Sequence, residues 1–227
     1  MRTIRYGGEP SQFVELHGDN PVRGTAFLLH GGWWRAQRDL HLMDALAADL
    51  VAAGWLVANL EYRRIDGDTG GWPQTLDDVL AAMAAVPVAE GLPMIAVGHS
   101  AGGHLALLAA ATVKPSAVIG LAPITDVPRS AAEGLGEGAA SLFLPSPDPA
   151  ASPLTCLPIG VPQLIVHGDA DVRVPIDHSR AYAEAARAAG DDDVTLTELP
   201  GVDHFRVIDP ADEPWQHART WLTTRFG

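Results

Sequence analysis

The chain has 227 residues, 47% of them hydrophobic and 19% charged, a length that suits one domain with a substantial core. Its 15 basic and 28 acidic residues give a formal net charge of -13, which argues against nucleic acid or an anionic membrane surface as a partner. One cysteine, Cys156, excludes an intrachain disulfide, and it sits in the proline-rich stretch "SPLTCLPIGVP" without a turn motif that would present a nucleophile. "MRTIRYGGEPSQF" at the N-terminus has no apolar core of a secretory signal, and no window approaches the roughly 18 apolar residues of a membrane span. A cytoplasmic protein is expected on those grounds.

In chain order, short apolar runs alternate with longer alanine-rich ones. Residues 24–32 ("GTAFLLHGG") read as a buried strand ending in glycines. Apolar spacing predicts a helix over 40–54 with a stop at Gly54. A strand over 55–62 follows, then a helix over 70–86 that begins near Pro73 or Thr75. Residues 93–100 read as a strand and 101–112 as a helix, and 116–124 as a strand. A strand over 162–169 precedes a helix over 177–190, a last strand over 193–201 and a final amphipathic helix over 212–226. This alternation predicts an α/β fold with a mostly parallel sheet covered by helices on both faces, and the near-continuous apolar strands agree with double coverage. Residues 126–160, rich in Pro, Gly, Ser and Ala, show no period and read as a cap-like excursion from a single domain spanning 1–227.

In such sheets the ligand crevice lies at the carboxyl ends of the strands, and four motifs fall there. Gly98-His99-Ser100-Ala101-Gly102 matches G-x-S-x-G between a strand and a helix, the setting of a nucleophile elbow. Its glycines answer to crowding at the turn. Ser100 could instead be a helix N-cap. A nucleophilic serine needs a base, and the base an orienting acid. In this architecture they follow in the order Ser, Asp or Glu, His. "LIVHGDADVRVP" (164–175) supplies Asp169 and Asp171 just past a strand; Asp171, deeper in the loop, is favoured to reach across, while Asp169 could simply cap the turn. "LPGVDHFRV" (199–207) supplies His204. Asp203 adjoins it but points away in an extended loop. His217 reads as a residue of the last helix, and His99 and His104 as packing or hydrogen-bonding residues.

Acyl transfer also needs fixed N–H donors for the developing oxyanion. Ala101 follows the nucleophile, and "HGGWWR" (30–35) follows an early strand, so the N–H groups of Gly32, Trp33 and Ala101 are the expected donors. Gly31, Trp34 and Phe205 are expected at the substrate, with Trp33 beside them and Trp72 a weaker candidate. Arg35 could meet a substrate carboxylate or form a surface ion pair. His30, His99, His104 and His167 have no metal-ligand spacing, so no metal site is expected.

On "HGGWW", "GHSAGGHLA", "HGDADVRVP" and "VDHF" the chain resembles the α/β-hydrolase family over essentially its whole length. His-Gly-Gly followed by an aromatic residue and Trp, with "YGGEPSQFVEL" and "EYRR", is similar to the kynurenine formamidase and small-esterase branch. The resemblance implies a Ser100–Asp171–His204 triad, no cofactor, and hydrolysis of a small carboxylic ester or formamide. The chain departs from that branch in its short length and in Trp33, which stands where related esterases have a third glycine. A catalytically silent binding module of the same fold is the alternative of another class. The substrate partner is then a small ester or amide, and a homodimer is compatible with the sequence.

Overall fold

The computed structural model describes residues 1–19 and 21–227. Eight strands form one sheet in the order β1-β2-β4-β3-β5-β6-β7-β8: β1 (Arg2–Arg5), β2 (Phe13–His17), β3 (Gly24–Leu29), β4 (Trp55–Leu60), β5 (Met94–His99), β6 (Ala117–Leu121), β7 (Gln163–Gly168) and β8 (Val194–Leu199). β1 and β2 are antiparallel additions, β2 pairing with β4 through Leu16 opposite Ala58. From β4 to β8 every pairing is parallel.

Alternate strand residues face two separate apolar layers. Phe27, Leu29, Ala96, Val118 and Ile165 point to one layer, together with residues of α2 (Gln74–Ala85), α3 (Ala101–Val113) and α6 (Asp177–Ala188). Ala26, Leu28, Ile95, Val97 and Ile119 point to the other, under α1 (Asp44–Ala52) and α7 (Glu213–Phe226). Double burial is what made these strands read as continuous apolar runs. After β3 the chain crosses outward to β4 and then returns to lay β5 on the other side of β3. The crevice between the ends of β3 and β5 is therefore the point where strand order reverses, the place where open parallel sheets bind ligands.

The excursion differs from the expected irregular segment. It contains α4 (Val127–Ala132), α5 (Ala139–Phe143) and three short 3-10 turns over 135–138, 149–151 and 153–155. Asp126 starts α4 by accepting from the Arg129 N–H at 3.0 Å. Phe143 inserts into the first apolar layer and stacks on Trp34 at 4.1 Å. His104, fully buried on α3, donates from Nε2 to the Ala151 carbonyl at 2.8 Å and presents its ring to Trp34 and Phe143. The excursion is thus pinned to the central helix by a neutral imidazole.

Burial pushes the His104 pKa from 6.5 down to about 4, against the smaller opposing effect of its bond to Ala151. An unfolded His104 takes up a proton below pH 6.5, whereas the folded one stays neutral until about pH 4, so stability falls as pH drops through that window. His104→Gln keeps a donor but does not titrate. Its unfolding free energy, measured by denaturant at three pH values in the window, is expected to depend on pH less steeply than that of the unaltered chain, by about 1.4 kcal/mol per pH unit. An unchanged slope would remove His104 as the source.

Candidate active site

Ser100 sits between β5 and α3 with φ 55° and ψ −116°, and its side chain makes no capping hydrogen bond to the helix. Ser100 thus stands at the N-cap position of α3 without its hydroxyl acting as the cap. A left-handed φ at a residue with a Cβ costs on the order of 1–3 kcal/mol and persists only where the surroundings impose it. Here they do so through three backbone bonds. The Ser100 N–H donates to Leu121 at 2.9 Å, and its carbonyl accepts from His104 at 3.0 Å and Ile124 at 3.2 Å. The flanking glycines are sterically obligatory. A Cβ on Gly98 would lie 2.1 Å from the Gly102 carbonyl oxygen, and one on Gly102 would lie 2.1 Å from that of Leu29.

Asp171 and His204 meet across the tops of β7 and β8. His204 Nδ1–H donates to Asp171 Oδ2 at 2.6 Å, which leaves Nε2 as the acceptor nitrogen of the ring. The Asp171 carboxylate is buried and hydrogen-bonded on both oxygens. Oδ2 also accepts from His167 Nε2 at 3.1 Å, and Oδ1 accepts the N–H groups of Arg173 at 2.8 Å and Val174 at 3.0 Å. Burial alone would raise the carboxyl pKa, but the bonds from His167 and His204 outweigh it and hold Asp171 well below the usual carboxylate range. Asp169 bonds the loop after β8 and not the turn it stands in. Its Oδ1 accepts the Gly201 N–H at 2.6 Å and so anchors the loop that leads to His204. Asp203 accepts from the backbone of Phe205 and Arg206.

His99 packs against His204, with ring centroids 4.7 Å apart. Its Nε2–H donates to the His204 carbonyl at 2.9 Å, and burial, with a lesser contribution from His204, pushes its pKa down to about 3. It is a neutral support and not a base. His217 is exposed on α7 near Glu213. His30 stacks on Tyr62 at 4.3 Å and bonds Glu61. No group of three or more His, Cys, Asp or Glu among the described residues is arranged to hold a metal ion.

Ser100, His99 and His204 line a pocket of about 410 Å³ together with Gly32, Trp33 and Phe205, within the size range of small-molecule sites. Gly32 and Trp33 turn through φ 117° and 55°, closed by the Arg35 N–H on the Gly32 carbonyl at 3.0 Å. Ala101 begins α3, fully buried. A larger depression of about 690 Å³ lies between β8 and α7, reaches Leu164 of β7, and is lined by none of the candidate catalytic or oxyanion residues.

Three expected contacts are corrected. Trp34 is fully buried between Phe143 and His104 and does not reach the pocket, although its ring meets that of Trp33 edge-on at 6.0 Å. Gly31 does not line the pocket either. It lets two loops approach, since a Cβ there would come within 2.8 Å of His99 Nδ1. Trp72 donates from Nε1 to Asp148 at 2.8 Å and ties down the excursion. Arg35 lines the pocket but is bound to Asp66 and to the Glu137 carbonyl, each at 3.2 Å. Sequence reasoning missed Arg38, Arg173 and residues 134–137, which with Gln37, Leu42 and Val172 form the remaining walls. Arg173 stands within "HGDADVRVP" and Arg38 three residues beyond "HGGWWR", whereas nothing in the excursion's composition marked which of its glycines would face the pocket. His167 was weighed only as a metal ligand, and its role at Asp171 went unread.

Sheet order, the strained serine turn and the Asp171–His204 pair on adjacent strand ends define an α/β-hydrolase fold. Residues 62–223 match the prolyl oligopeptidase family, and the chain belongs to that family. Esterase LipC of Mycobacterium tuberculosis (strain ATCC 25618 / H37Rv) is 27% identical over 256 residues, covering 96% of this chain and 63% of that protein. The chain spans between about half and just under two thirds of the length of the curated relatives it matches. A truncated carbohydrate esterase from gut microbiota superposes with a TM-score of 0.80 at 17% identity, over 99% of this chain and 96% of that one. The butyrate-bound thermophilic esterase Est2 of Thermogutta terrifontis does so with 0.78 at 21% identity, over 98% and 93%. No helix among the described residues is long and apolar enough to cross a membrane.

The elbow's clearance is directly testable. Gly102→Ala forces a methyl group against backbone carbonyls, and it is expected to lose about 2–3 kcal/mol of unfolding free energy or more. Gly8→Ala, where a Cβ meets nothing within 4 Å, is expected to stay within about 0.5 kcal/mol. Denaturant titration of both variants checks the pair.

Proposed function

We propose that the chain is a serine hydrolase of small carboxylic esters, acting through an acyl-enzyme. The observation that supports this most is Ser100 on its strained strand-to-helix turn, lining one pocket with a His204 whose Nδ1 is bonded to the ionised Asp171 at 2.6 Å. Ser100 attacks the acyl carbon while His204 Nε2 accepts its proton. Asp171 fixes the imidazole tautomer and stabilises the imidazolium. The N–H groups of Gly32, Trp33 and Ala101 receive the oxyanion, with the start of α3 favouring negative charge there. His204 then protonates the leaving group, and water releases the acid by the reverse sequence. No cofactor enters these steps, and we place the enzyme in the cytoplasm. The names of the relatives, esterase in each case mentioned above, favour the ester over other acyl substrates.

A formamide is the second reading, favoured by the His30-Gly31-Gly32-Trp33-Trp34 loop. The two part on kcat/KM for N-formylkynurenine beside p-nitrophenyl acetate and butyrate. Short-ester turnover alone is the expected outcome, and strong preference for the formamide would replace the ester reading. Ser100→Ala is expected to lower kcat by about 10⁶-fold and Asp171→Asn by about 10⁴-fold. Retained activity in Ser100→Ala would overturn Ser100 as the nucleophile, and failure of a fluorophosphonate to label Ser100 would leave a binding module of the same fold.

A further inference from the structure

Among the described residues, basic side chains are almost all engaged. Arg35, Arg63, Arg64, Arg129, Arg180 and Arg206 each meet a carboxylate, and Arg219 and Arg225 do the same on α7. Arg23, Lys114 and Arg187 end on backbone carbonyls. In a chain with 28 acidic residues against 15 basic ones this is the natural result of excess carboxylate. The guanidinium groups that bond no carboxylate or carbonyl are those of Arg2 and Arg5, on the outermost strand β1, and of Arg38 and Arg173. The latter two both line the pocket that holds Ser100.

Their backbones are held by the machinery itself. The Arg38 stem packs on Gly32, so closely that a Cβ on the glycine would lie 2.7 Å from Arg38 Cβ. Arg173 donates its backbone N–H to Asp171 at 2.8 Å, and its guanidinium lies over the Phe205 ring at 5.1 Å. A cation over an aromatic ring is held without its N–H donors, and those of the Arg173 side chain bond no carboxylate or carbonyl among the described residues. One cation therefore rises from the loop of the expected oxyanion donors and the other from the loop of the acid. Glu137 is the one carboxylate among the described lining residues, and neither arginine forms an ion pair with it. Arg35 is neutralised by Asp66.

We propose that the pocket selects esters bearing an anionic group, a carboxylate in the first instance, held by the N–H edges of Arg38 and Arg173 while the scissile carbonyl faces Ser100. Planar guanidinium groups match carboxylate oxygens in paired hydrogen bonds. A positive rim also overcomes locally the repulsion that a net charge of -13 imposes on an incoming anion. The proposal rests on the serine-hydrolase reading above.

The test compares 4-acetoxybenzoate with its neutral methyl ester, and mono-4-nitrophenyl adipate with 4-nitrophenyl heptanoate. The two pairs place the anion on the leaving group and on the acyl group respectively. In at least one pair the anionic member is expected to have about tenfold or greater advantage in kcat/KM, chiefly through KM, and to lose most of it between about 0.05 and 0.5 M salt as the charges are screened. Arg38→Gln and Arg173→Gln are each expected to lower the anionic-to-neutral ratio about tenfold. Ser100-dependent turnover with no anionic preference in either pair, or a ratio unmoved by both substitutions, overturns the proposal and leaves the hydrolase reading standing. If Ser100 neither turns over ester nor takes a fluorophosphonate, the hydrolase reading fails by itself. The anion site is then decided by calorimetric binding of 4-acetoxybenzoate and its methyl ester to Ser100→Ala. Tighter binding of the anion, lost in the arginine variants, supports it, and equal binding overturns it.

Discussion

The site depends on a clearance of one hydrogen atom. Where β5 turns into α3, the helix lies so close to β3 and β5 that positions 98 and 102 have no room for a Cβ. That approach brings the start of α3 beside the end of β3, and with it the Gly32–Trp33 turn beside Ser100. The serine's left-handed backbone follows from the same packing, because a relaxed φ would swing α3 away from the strands it covers. The strain at Ser100 is offset by the apolar layer beneath α3, where Leu105, Ala106 and Leu107 are fully buried, and by the bonds from Ser100 to Leu121 and Ile124. Local strain, glycine placement and the apolar character of α3 are three aspects of a single contact.

The second requirement is a charge kept ionised away from water. A buried carboxylate costs several kcal/mol unless its oxygens are hydrogen-bonded. Asp171 meets this with two donors on each oxygen. His167 contributes in a defined tautomer. Its Nδ1 faces the Ser179 hydroxyl at 2.7 Å and its Nε2 faces only acceptors, Asp171 and the Val174 carbonyl, so the proton sits on Nε2 and points at the carboxylate. A chain of contacts from α6 through β7 thus ends at His204 and fixes which of its nitrogens is free. His99 braces the same residue from below through the His204 carbonyl.

What the sequence made legible and what it hid follow from range. The parallel strands were legible because double burial writes itself as an apolar run. The serine, acid and histidine loops were legible because each is a short motif at a strand end. β1 and β2 were not, although Phe13–His17 alternates in burial, since strands of four and five residues among loops have no more pattern than chance supplies. The choice between Asp169 and Asp171 turned on the Asp171–His204 and Asp169–Gly201 bonds, contacts across 33 and 32 positions. Trp33 and Trp34 were inseparable by composition. Only the successive left-handed turns, both at φ 55°, put one ring at the pocket and the other in the core.

The pocket walls extend this argument to selectivity. The excursion reaches the pocket through Gly136, which lies so close to the Trp33 indole that a Cβ would come within 2.3 Å of the ring. Arg35 bridges the same two segments, with its charge consumed by Asp66 and its second contact on the Glu137 carbonyl. Phe143 and Trp72 lock the excursion's far end into the core and to Asp148. The wall at 134–137 is therefore rigidly coupled to the loop that carries the expected oxyanion donors, and the room for an acyl chain is set by the same contacts that aim those donors. Substitutions in the excursion should then change size preference and rate together, whereas the charge preference, which resides in arginines on two other loops, is free to vary independently of both.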